Sequence, residues 1–316
     1  MAALFPLDDP TPSVARGHRP NLVSVVVPAF NCCSTVTEQL DALDDQDYAG
    51  RWEIILVDNA STEGTREVLE SWAGRRDNAR FVDAIERRGA GYARNVGSRI
   101  ASGDFLLFCD ADDVVHPGWV AAMADGARLG SLLAGVDVAL AERWEPVPVG
   151  GSQVHKATAR RGGFLPFARG GNLGVSARAF WQVGGWDEGW LRGQDVELSW
   201  RLQIAGFDLF VVPRAIVAYR RPEGRRALMR HQFEFGRQAP RLRQHFSSQG
   251  ASAHSFAIVV RDILSVFVRL PNLARGHDRR QRWLVNASGV AGRLVGTIEL
   301  RWKRPRLRRQ QGPSRG

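Results

Sequence analysis

Asp110, Asp112 and Asp113 fall within four consecutive positions directly behind the apolar run FLLFC (105–109). Three carboxylates so close repel one another unless a cation, a set of backbone donors or water holds them. Asp110 and Asp112 form an Asp-x-Asp pair across the small Ala111, and alternation along an extended chain turns both toward the same side. An oxygen-only pair of this kind suits Mg2+ or Mn2+, which keeps several waters and completes its shell from a substrate's phosphates. The competing reading is a solvated loop that caps a helix begun at His116 and Pro117, and Asp113 is the residue expected to do that capping.

Four apolar stretches must position these residues: LVSVVV (22–27), WEIILV (52–57), ARFVDA (79–84) and DFLLFC (104–109). Their near-continuous hydrophobicity predicts parallel strands buried on both faces. Between them lie STVTEQLDALDD, TEGTREVLESWAG and GAGYARNVGSRIASG. The second opens on a Thr-Glu capping signal and sets Val68, Leu69 and Trp72 on one helix face; the third sets Tyr92, Val96 and Ile100 at i, i+4 and i+8. The alternation predicts a doubly wound α/β sheet, in which ligands bind beyond the carboxyl ends of the strands. That rule selects PAFN (28–31), DNAST (58–62), the segment leading into Arg88 and Gly89, and DADD (110–113). Polar or turn-forming residues occupy all four ends, which predicts one shared crevice.

The second half is less regular. GVDVALAERWEPVPVG (135–150) predicts a strand and then a loop, RRGGFLPFARGGN (160–172) a mobile loop, and GVSARAFWQVGGWDEGW a short helix ending at Gly184 and Gly185. QDVELSWRLQIAG (194–206) predicts a helix with acids in its first turn, where the dipole favours them, and Gly206 at its end. DLFVVPRAIVAYRR returns to strand. SFAIVVRDILSVFVRL (255–270) has a wide apolar face broken by Arg261, Asp262, Ser265 and Arg269, too short and too charged to span a bilayer. Packing on the core and lying in a membrane interface are its two options. QRWLVNASGVAGRLVGTIELRWKRPRLRR predicts a further helix with a solvated basic end.

With 316 residues and 44% hydrophobic content, the chain can bury a substantial core in one large domain or one domain with an appendage. Its net charge of +10 is unevenly spread. Residues 275–316 hold 12 of the 43 Lys and Arg but 2 of the 33 acids, which leaves 31 of each sign in the rest. A basic appendage on a neutral body, without a basic stripe interleaved with aromatics, favours an anionic membrane surface over nucleic acid. The N-terminal MAALFPLDDPTPSVARGHRP has Asp8, Asp9 and prolines where a signal peptide needs an apolar stretch, so it is expected to be a loose leader. Cys32, Cys33 and Cys109 give neither a disulfide framework nor zinc spacing, which suits a cytoplasmic protein.

PAFN, DNAST, GAGYARNVG, DADD, GGWDE and GQDVELSWRLQIAG stand in the order and spacing of the family 2 glycosyltransferases, and over residues 22–240 the chain resembles that family. The resemblance implies a GT-A fold, a Rossmann-like α/β domain with a mostly parallel sheet flanked by helices, here with a C-terminal helical basic extension. It implies an inverting, metal-assisted transfer of a sugar from a nucleotide-diphosphate donor to an acceptor hydroxyl. Carried over position by position, Pro28, Phe30, Asn31, Asp58, Arg88, Arg94 and Asp110 would hold the nucleotide sugar. Asp58 would accept from a base N–H, Phe30 would offer a ring face, Arg88 and Arg94 would neutralise the diphosphate, and Asp110 would lie near the ribose. Asp112, with Asp110 beside it, would bind the Mg2+ or Mn2+. Asp195 matches the general base that takes the acceptor's proton opposite the leaving group. Gly184, Gly185, Trp186 and Asp187 match the sugar and acceptor pocket, with Gln194 beside the base and Trp186 and Trp190 as apolar platforms. Plain structural roles compete: Pro28 as a strand terminator, Asp58 as a turn former, Arg94 as a surface cation, Asp195 as a dipole partner and Trp200 as core.

Two positions depart from the family. Gln194 stands where Glu or Asp often precedes the base, and AIVAYRRPEG lacks the His that many members place after the last strand; the next is His231. Arg220 and Arg221 offer charge compensation instead. A non-catalytic nucleotide-sugar-binding or scaffold domain at a membrane surface is the alternative function. A nucleotidyltransferase would need a Gly-rich phosphate loop with a Lys after the first strand, and PAFNCCS is not one. The expected organisation is a leader (1–21), a GT-A domain (22–222), a helical region (223–300) and a disordered basic tail (301–316). The expected setting is cytoplasmic, with the basic tail suggesting peripheral contact with the inner face of the plasma membrane. The acceptor would be a glycan, lipid-linked or small-molecule hydroxyl in cell-envelope or other glycan biosynthesis.

Overall fold

The computed structural model describes residues 19–140, 164–252, 256–274 and 276–309. Most of the leader, the end of the 135–150 segment, the start of the 160–172 loop and the end of the basic tail lie outside them. Strands β1 (Val23–Ala29), β2 (Trp52–Asp58), β3 (Ala79–Asp83) and β4 (Phe105–Cys109) are the four predicted strands, paired in parallel in the order β3-β2-β1-β4. Every residue of β1 and β4 is buried, as their unbroken hydrophobicity requires. β3 differs. It lies at the sheet edge and is half exposed, because among the described residues β2 alone pairs with it.

Helices α1 (Val36–Asp44) and α2 (Thr65–Ala73) join one hydrophobic cluster with one face of the sheet. Glu63, rather than a Thr, receives the first amide of α2, that of Thr65, at 3.2 Å. α3 (Ala90–Ile100) crosses the other face, and it does not bury the stripe its pattern predicts. Tyr92, Val96 and Ile100 are only half buried, while Gly91, Ala93, Arg94, Asn95, Gly97 and Ser98 face inward. The cause is a close approach: a Cβ at Gly97 would lie 2.6 Å from Val26 and 2.8 Å from Val57. A helix seated this tightly delivers its polar residues directly to the strand ends.

β5 (Val114–Val115), α4 (Trp119–Gly126), β6 (Leu132–Ala139), β7 (Asn172–Ser176), α5 (Ala177–Gln182), α6 (Gln194–Ile204) and β8 (Leu209–Tyr219) complete the body. The eight-stranded sheet runs β3-β2-β1-β4-β7-β6-β8-β5 and is parallel at four of its seven pairings. Asp113 caps no helix. α4 starts at Trp119 behind Gly118, whose N–H donates to His116 Nδ1 at 3.0 Å, and the buried Asp113 carboxylate instead accepts the Arg220 N–H at 2.8 Å. Ser176 caps α5 by accepting from the Ala179 N–H, and Gly184 and Gly185 end the segment at φ of +86° and +73°. Trp200 is core, with no exposure.

Three helices follow β8: α7 (Arg225–His245), α8 (Phe256–Val268) and α9 (His277–Arg309). α9 continues through 301–309, so most of the stretch expected to be a flexible tail is helical. Leu242 and Phe246 of α7 pack with Phe167, Trp190 and Trp200 to fasten the helix to the body. Glycines let α7 and α9 touch backbone to backbone: a Cβ at Gly236 would lie 2.2 Å from Gly289 O, and Cβ atoms at Gly292 and Gly296 would lie 2.1 Å from Phe233 O and Arg237 O. α8 packs through one side and leaves apolar residues exposed on the other. Val259 is buried and Asp262 pairs with Arg293 of α9 at 2.6 Å, while Val260, Leu264, Phe267 and Val268 are exposed. Among the described residues no helix is long and apolar enough to cross a membrane.

Candidate functional site

The four parallel strands end on one edge of the sheet, and the predicted loops meet there. β1 lies between β2 and β4, so Asp58 at the end of β2 and Asp110 beyond β4 are two strand spacings apart, roughly 10 Å. Asp58 is buried at 1% exposure. Its Oδ2 accepts the Ser61 N–H at 3.1 Å, but its Oδ1 is buried without a partner. Asn31, at φ +47°, accepts the Thr62 N–H at 2.8 Å and so ties the first loop to the second. Phe30 is 46% exposed, and the Arg88 guanidinium lies 5.5 Å above its ring. Pro28, Phe30, Asn59, Arg88 and Gly89 line an open cleft of about 1300 Å³.

The acidic run is held by arginines from three elements. Arg94 of α3, expected near a diphosphate or on the surface, has a buried side chain and donates to Asp110 Oδ1 at 2.5 Å. Arg220, beyond β8, donates through Nε to Asp112 O at 2.9 Å and through Nη2 to Glu38 at 2.8 Å. Arg169 pairs with Asp137 at 2.8 Å and lies 4.0 Å over the Tyr219 ring. The balance is incomplete at Asp112. Its residue reaches solvent, yet loss of water around the carboxyl and the neighbouring Asp110 charge push its pKa up, against the pull of Arg220 and Arg169. Burial and the same acidic neighbours raise Asp113 well above the ordinary carboxylate value. Burial raises Asp137 too, against Arg169 and Asn172.

The GGWDE loop is pinned from two sides. Asn95 of α3 donates to Trp186 O at 2.8 Å and accepts the Trp186 N–H at 2.9 Å, and Arg201 of α6 donates to Gly185 O at 2.8 Å. Gly185 is required, since its φ is +73° and a Cβ would come 2.8 Å from Asn95 Oδ1. Trp186 and Trp190 are each 2% exposed, so neither offers a platform to a sugar. Trp186 packs edge-on against Phe108 at 5.2 Å and beneath the Arg94 guanidinium at 4.8 Å. Asp187 is occupied locally, accepting from the Gly189 N–H and from Trp190 Nε1. Gln194 donates to Trp190 O at 2.5 Å, and its Oε1 is buried and unpartnered. Asp195 stands half buried in the first turn of α6, its Oδ1 on the Val196 N–H at 2.9 Å.

Several side chains that the sequence reading gives no role complete the arrangement. Asn59 donates to Ala84 O and Arg87 O and accepts the Gly89 N–H, which folds the segment carrying Arg88 over the second loop. Asn172 donates to Val136 O and accepts from Trp119 Nε1. The 164–172 stretch, expected to be mobile, is packed: Phe167, Ala168, Gly170 and Gly171 are buried. The glycines are the signal that could have located it. A Cβ at Gly171 would lie 2.5 Å from Asp110 Oδ2, and one at Gly170 would lie 3.3 Å from Arg94, so RGGN is shaped to close over the acidic run.

Four of the six buried side-chain polar atoms without a partner among the described residues are Asp58 Oδ1, Arg94 Nε, Trp186 Nε1 and Gln194 Oε1, all on residues that the sequence singles out. Buried polar atoms rarely go unpaired, and these four lie on the second loop, α3, the GGWDE loop and α6.

Comparison with known proteins agrees with this geometry. The chain is 33% identical over 99 residues to the glycosyltransferase AglE of Haloferax volcanii, 31% of this chain and 33% of that protein. It is 35% identical over 92 residues to a putative teichuronic acid biosynthesis glycosyltransferase, TuaG of Bacillus subtilis, 29% of this chain and 36% of that protein. The matches thus span about a third of these relatives' length. The mannosyltransferase PcManGT from Pyrobaculum calidifontis, solved with GDP-Man and Mn2+, superposes over 92% of this chain and 91% of its own at a TM-score of 0.61 and 19% identity, a likeness of fold. That fold is the GT-A arrangement of a central sheet and flanking helices. The family model described as Glycosyl transferase family 2 matches residues 24–181, half of the chain, and the chain belongs to that family.

Proposed function

We propose that the protein is an inverting glycosyltransferase that moves a sugar from a nucleotide-diphosphate donor to an acceptor hydroxyl with a divalent metal at Asp112. The observation that carries this is the set of unpartnered buried atoms at Asp58, Arg94, Trp186 and Gln194, gathered around the carboxyl ends of the parallel strands. In this reading Asp58 Oδ1 accepts from the base, Phe30 and Arg88 flank it, and Asn31 fixes the loop between them. Arg94 holds Asp110 in place and brings positive charge toward the diphosphate. Gly185, Asp187 and Gln194 shape the sugar pocket, while Trp186 supports it from below. Asp195 takes the acceptor's proton as the new bond forms, and the departing diphosphate needs no acid.

The donor set fits Mg2+ or Mn2+. Asp112 is a solvent-reaching carboxylate whose pKa is raised by loss of water around the carboxyl and by the Asp110 charge beside it. No group of three His, Cys, Asp or Glu is arranged to hold a metal ion among the described residues, so the protein would supply one or two oxygens and leave the rest to phosphate and water. When bound, such an ion supplies charge neutralisation for the leaving group. PcManGT was solved with Mn2+, and TuaG is named for teichuronic acid biosynthesis, which supports a metal and a cell-envelope glycan here as well.

A thermal-shift screen of nucleotide sugars with and without Mn2+, followed by transfer and hydrolysis assays, tests the proposal. Asp195→Asn is expected to keep donor binding and lose turnover by roughly a hundredfold or more; Asp112→Asn is expected to lose the metal-dependent part of binding. If no donor binds, or both variants turn over like wild type, the reading is wrong. Donor binding without turnover in wild type and Asp195→Asn alike would instead favour the scaffold function.

The exposed Val260, Leu264, Phe267 and Val268 of α8, together with the 12 basic residues of 275–316, support peripheral contact with an anionic membrane on its cytoplasmic side. Co-sedimentation with vesicles containing phosphatidylglycerol should fall for Leu264→Gln/Phe267→Gln. Equal sedimentation with neutral vesicles would refute the contact.

A further inference from the structure

We propose that the face of α7 lining the cleft binds an extended polyanionic acceptor, a chain carrying negative charges at repeated positions. The proposal rests on the glycosyltransferase reading and names the acceptor class for it. The cleft runs from Pro28, Phe30 and Arg88 past Arg192 to Arg230, Glu234 and Arg241, and its volume of about 1300 Å³ exceeds the roughly 300–1,000 Å³ that accommodates one small ligand. Something beyond a nucleotide sugar therefore has room.

The charges on that wall differ from those around the acidic run. Arg237 is already neutralised, by Glu299 at 2.6 Å and Glu234 at 3.9 Å. Arg192 and Arg230 are exposed and have no carboxylate partner among the described residues. Arg241 also lacks one; it lies 4.2 Å over the Trp190 ring and donates to Gly189 O at 3.2 Å, which aims it without consuming its charge. Eleven residues separate Arg230 from Arg241, three helical turns, so they share one face about 16 Å apart along the axis. A single phosphate cannot reach both. Two such cations, separated by Arg237 with its two glutamates and joined by Arg192 from the loop before Asp195, match a ligand whose charges recur along its length. Guanidinium groups suit phosphate or carboxylate oxygens in either case.

Calorimetric titration of the full chain, saturated with UDP or GDP, with glycerol phosphate and with oligo(glycerol phosphate) of increasing length tests this. Affinity is expected to rise with length until the oligomer spans both arginines and then to level off, and to weaken with added salt. Arg230→Gln should weaken the longest oligomer about tenfold and shorten the length at which affinity levels off, with partial rescue by Arg230→Lys. Melting temperature checks that the variants fold. Binding independent of length, or an Arg230→Gln variant that binds the longest oligomer like wild type, overturns the proposal. So does farnesyl phosphate binding as tightly as that oligomer, which would assign the arginines to a lipid headgroup. If neither nucleotide binds wild type, the glycosyltransferase reading falls and takes this proposal with it; nucleotide binding without length dependence removes this proposal alone.

Discussion

Two arginine-rich regions, one around the acidic run and one on the α7 wall of the cleft, are built on opposite principles. Around the acidic run, Arg94, Arg169 and Arg220 are matched with Asp110, Asp137 and Glu38, and the groups are wholly or partly withdrawn from water. On the α7 wall, Arg192 and Arg230 are exposed and uncommitted. Charges fixed in a dry site need no rearrangement when a ligand of set shape arrives, but they bind the fold to their own balance. Exposed charges do the reverse: they contribute almost nothing to stability and act only when something binds. The strand-end region is therefore rigid and sensitive to substitution, whereas the wall tolerates change.

The largest stability effect should come from breaking that balance at one point. Arg169→Met removes the partner of Asp137 and the cation over Tyr219, leaving carboxylates that are already short of solvation. A loss of about 3 kcal/mol is expected in urea unfolding. Arg230→Gln should lie within about 0.5 kcal/mol of wild type in the same experiment. Equal losses for the two would erase the contrast.

Next in size is the joint between α7 and α9. Gly292→Val adds a side chain where a Cβ would already lie 2.1 Å from Phe233 O, so the helices must separate. About 2 kcal/mol of destabilisation is expected. Because the wall depends on this joint and the strand ends do not, nucleotide affinity should survive at temperatures where the variant remains folded, while any acceptor effect is lost. Loss of nucleotide affinity in step with acceptor binding would mean that the two regions are not separable.

What could be read from the chain beforehand follows the same division. Strand ends were legible because parallel strands buried on both faces leave long apolar runs, and the polar residues behind them stand out. That pattern places Asp58, Asp110 and Asp112 at the strand ends. Arg169, Asn172 and Asn95 were not, because each acts across the sheet on a residue distant in sequence: Arg169 on Asp137, Asn172 on Trp119, Asn95 on Trp186. Trp186 and Trp190 were misjudged as platforms since an aromatic beside glycines looks alike whether it faces a sugar or a core. The α3 stripe misled for a related reason: at Gly97 the helix lies so near the sheet that its small and polar face goes inward and its apolar residues go to the flank.

The smallest effect is also the most specific to the dry side of the contrast. Burial, working against Arg169 and Asn172, raises the Asp137 carboxyl above its ordinary value. A carboxyl raised in the folded state holds its proton more tightly there than in the unfolded chain. Its contribution to stability is full below the unfolded value, near 3.9, and is lost as pH rises through the folded value. Asp137→Asn cannot titrate. The stability of wild type minus that of Asp137→Asn should therefore decline as pH is raised from about 4 and then level off, whatever constant offset the lost pairing with Arg169 introduces. Urea midpoints between pH 4 and pH 7 measure it. A difference that climbs with pH would mean that Arg169 outweighs burial at this carboxylate, and that the charges beside the acidic run support the fold rather than tax it.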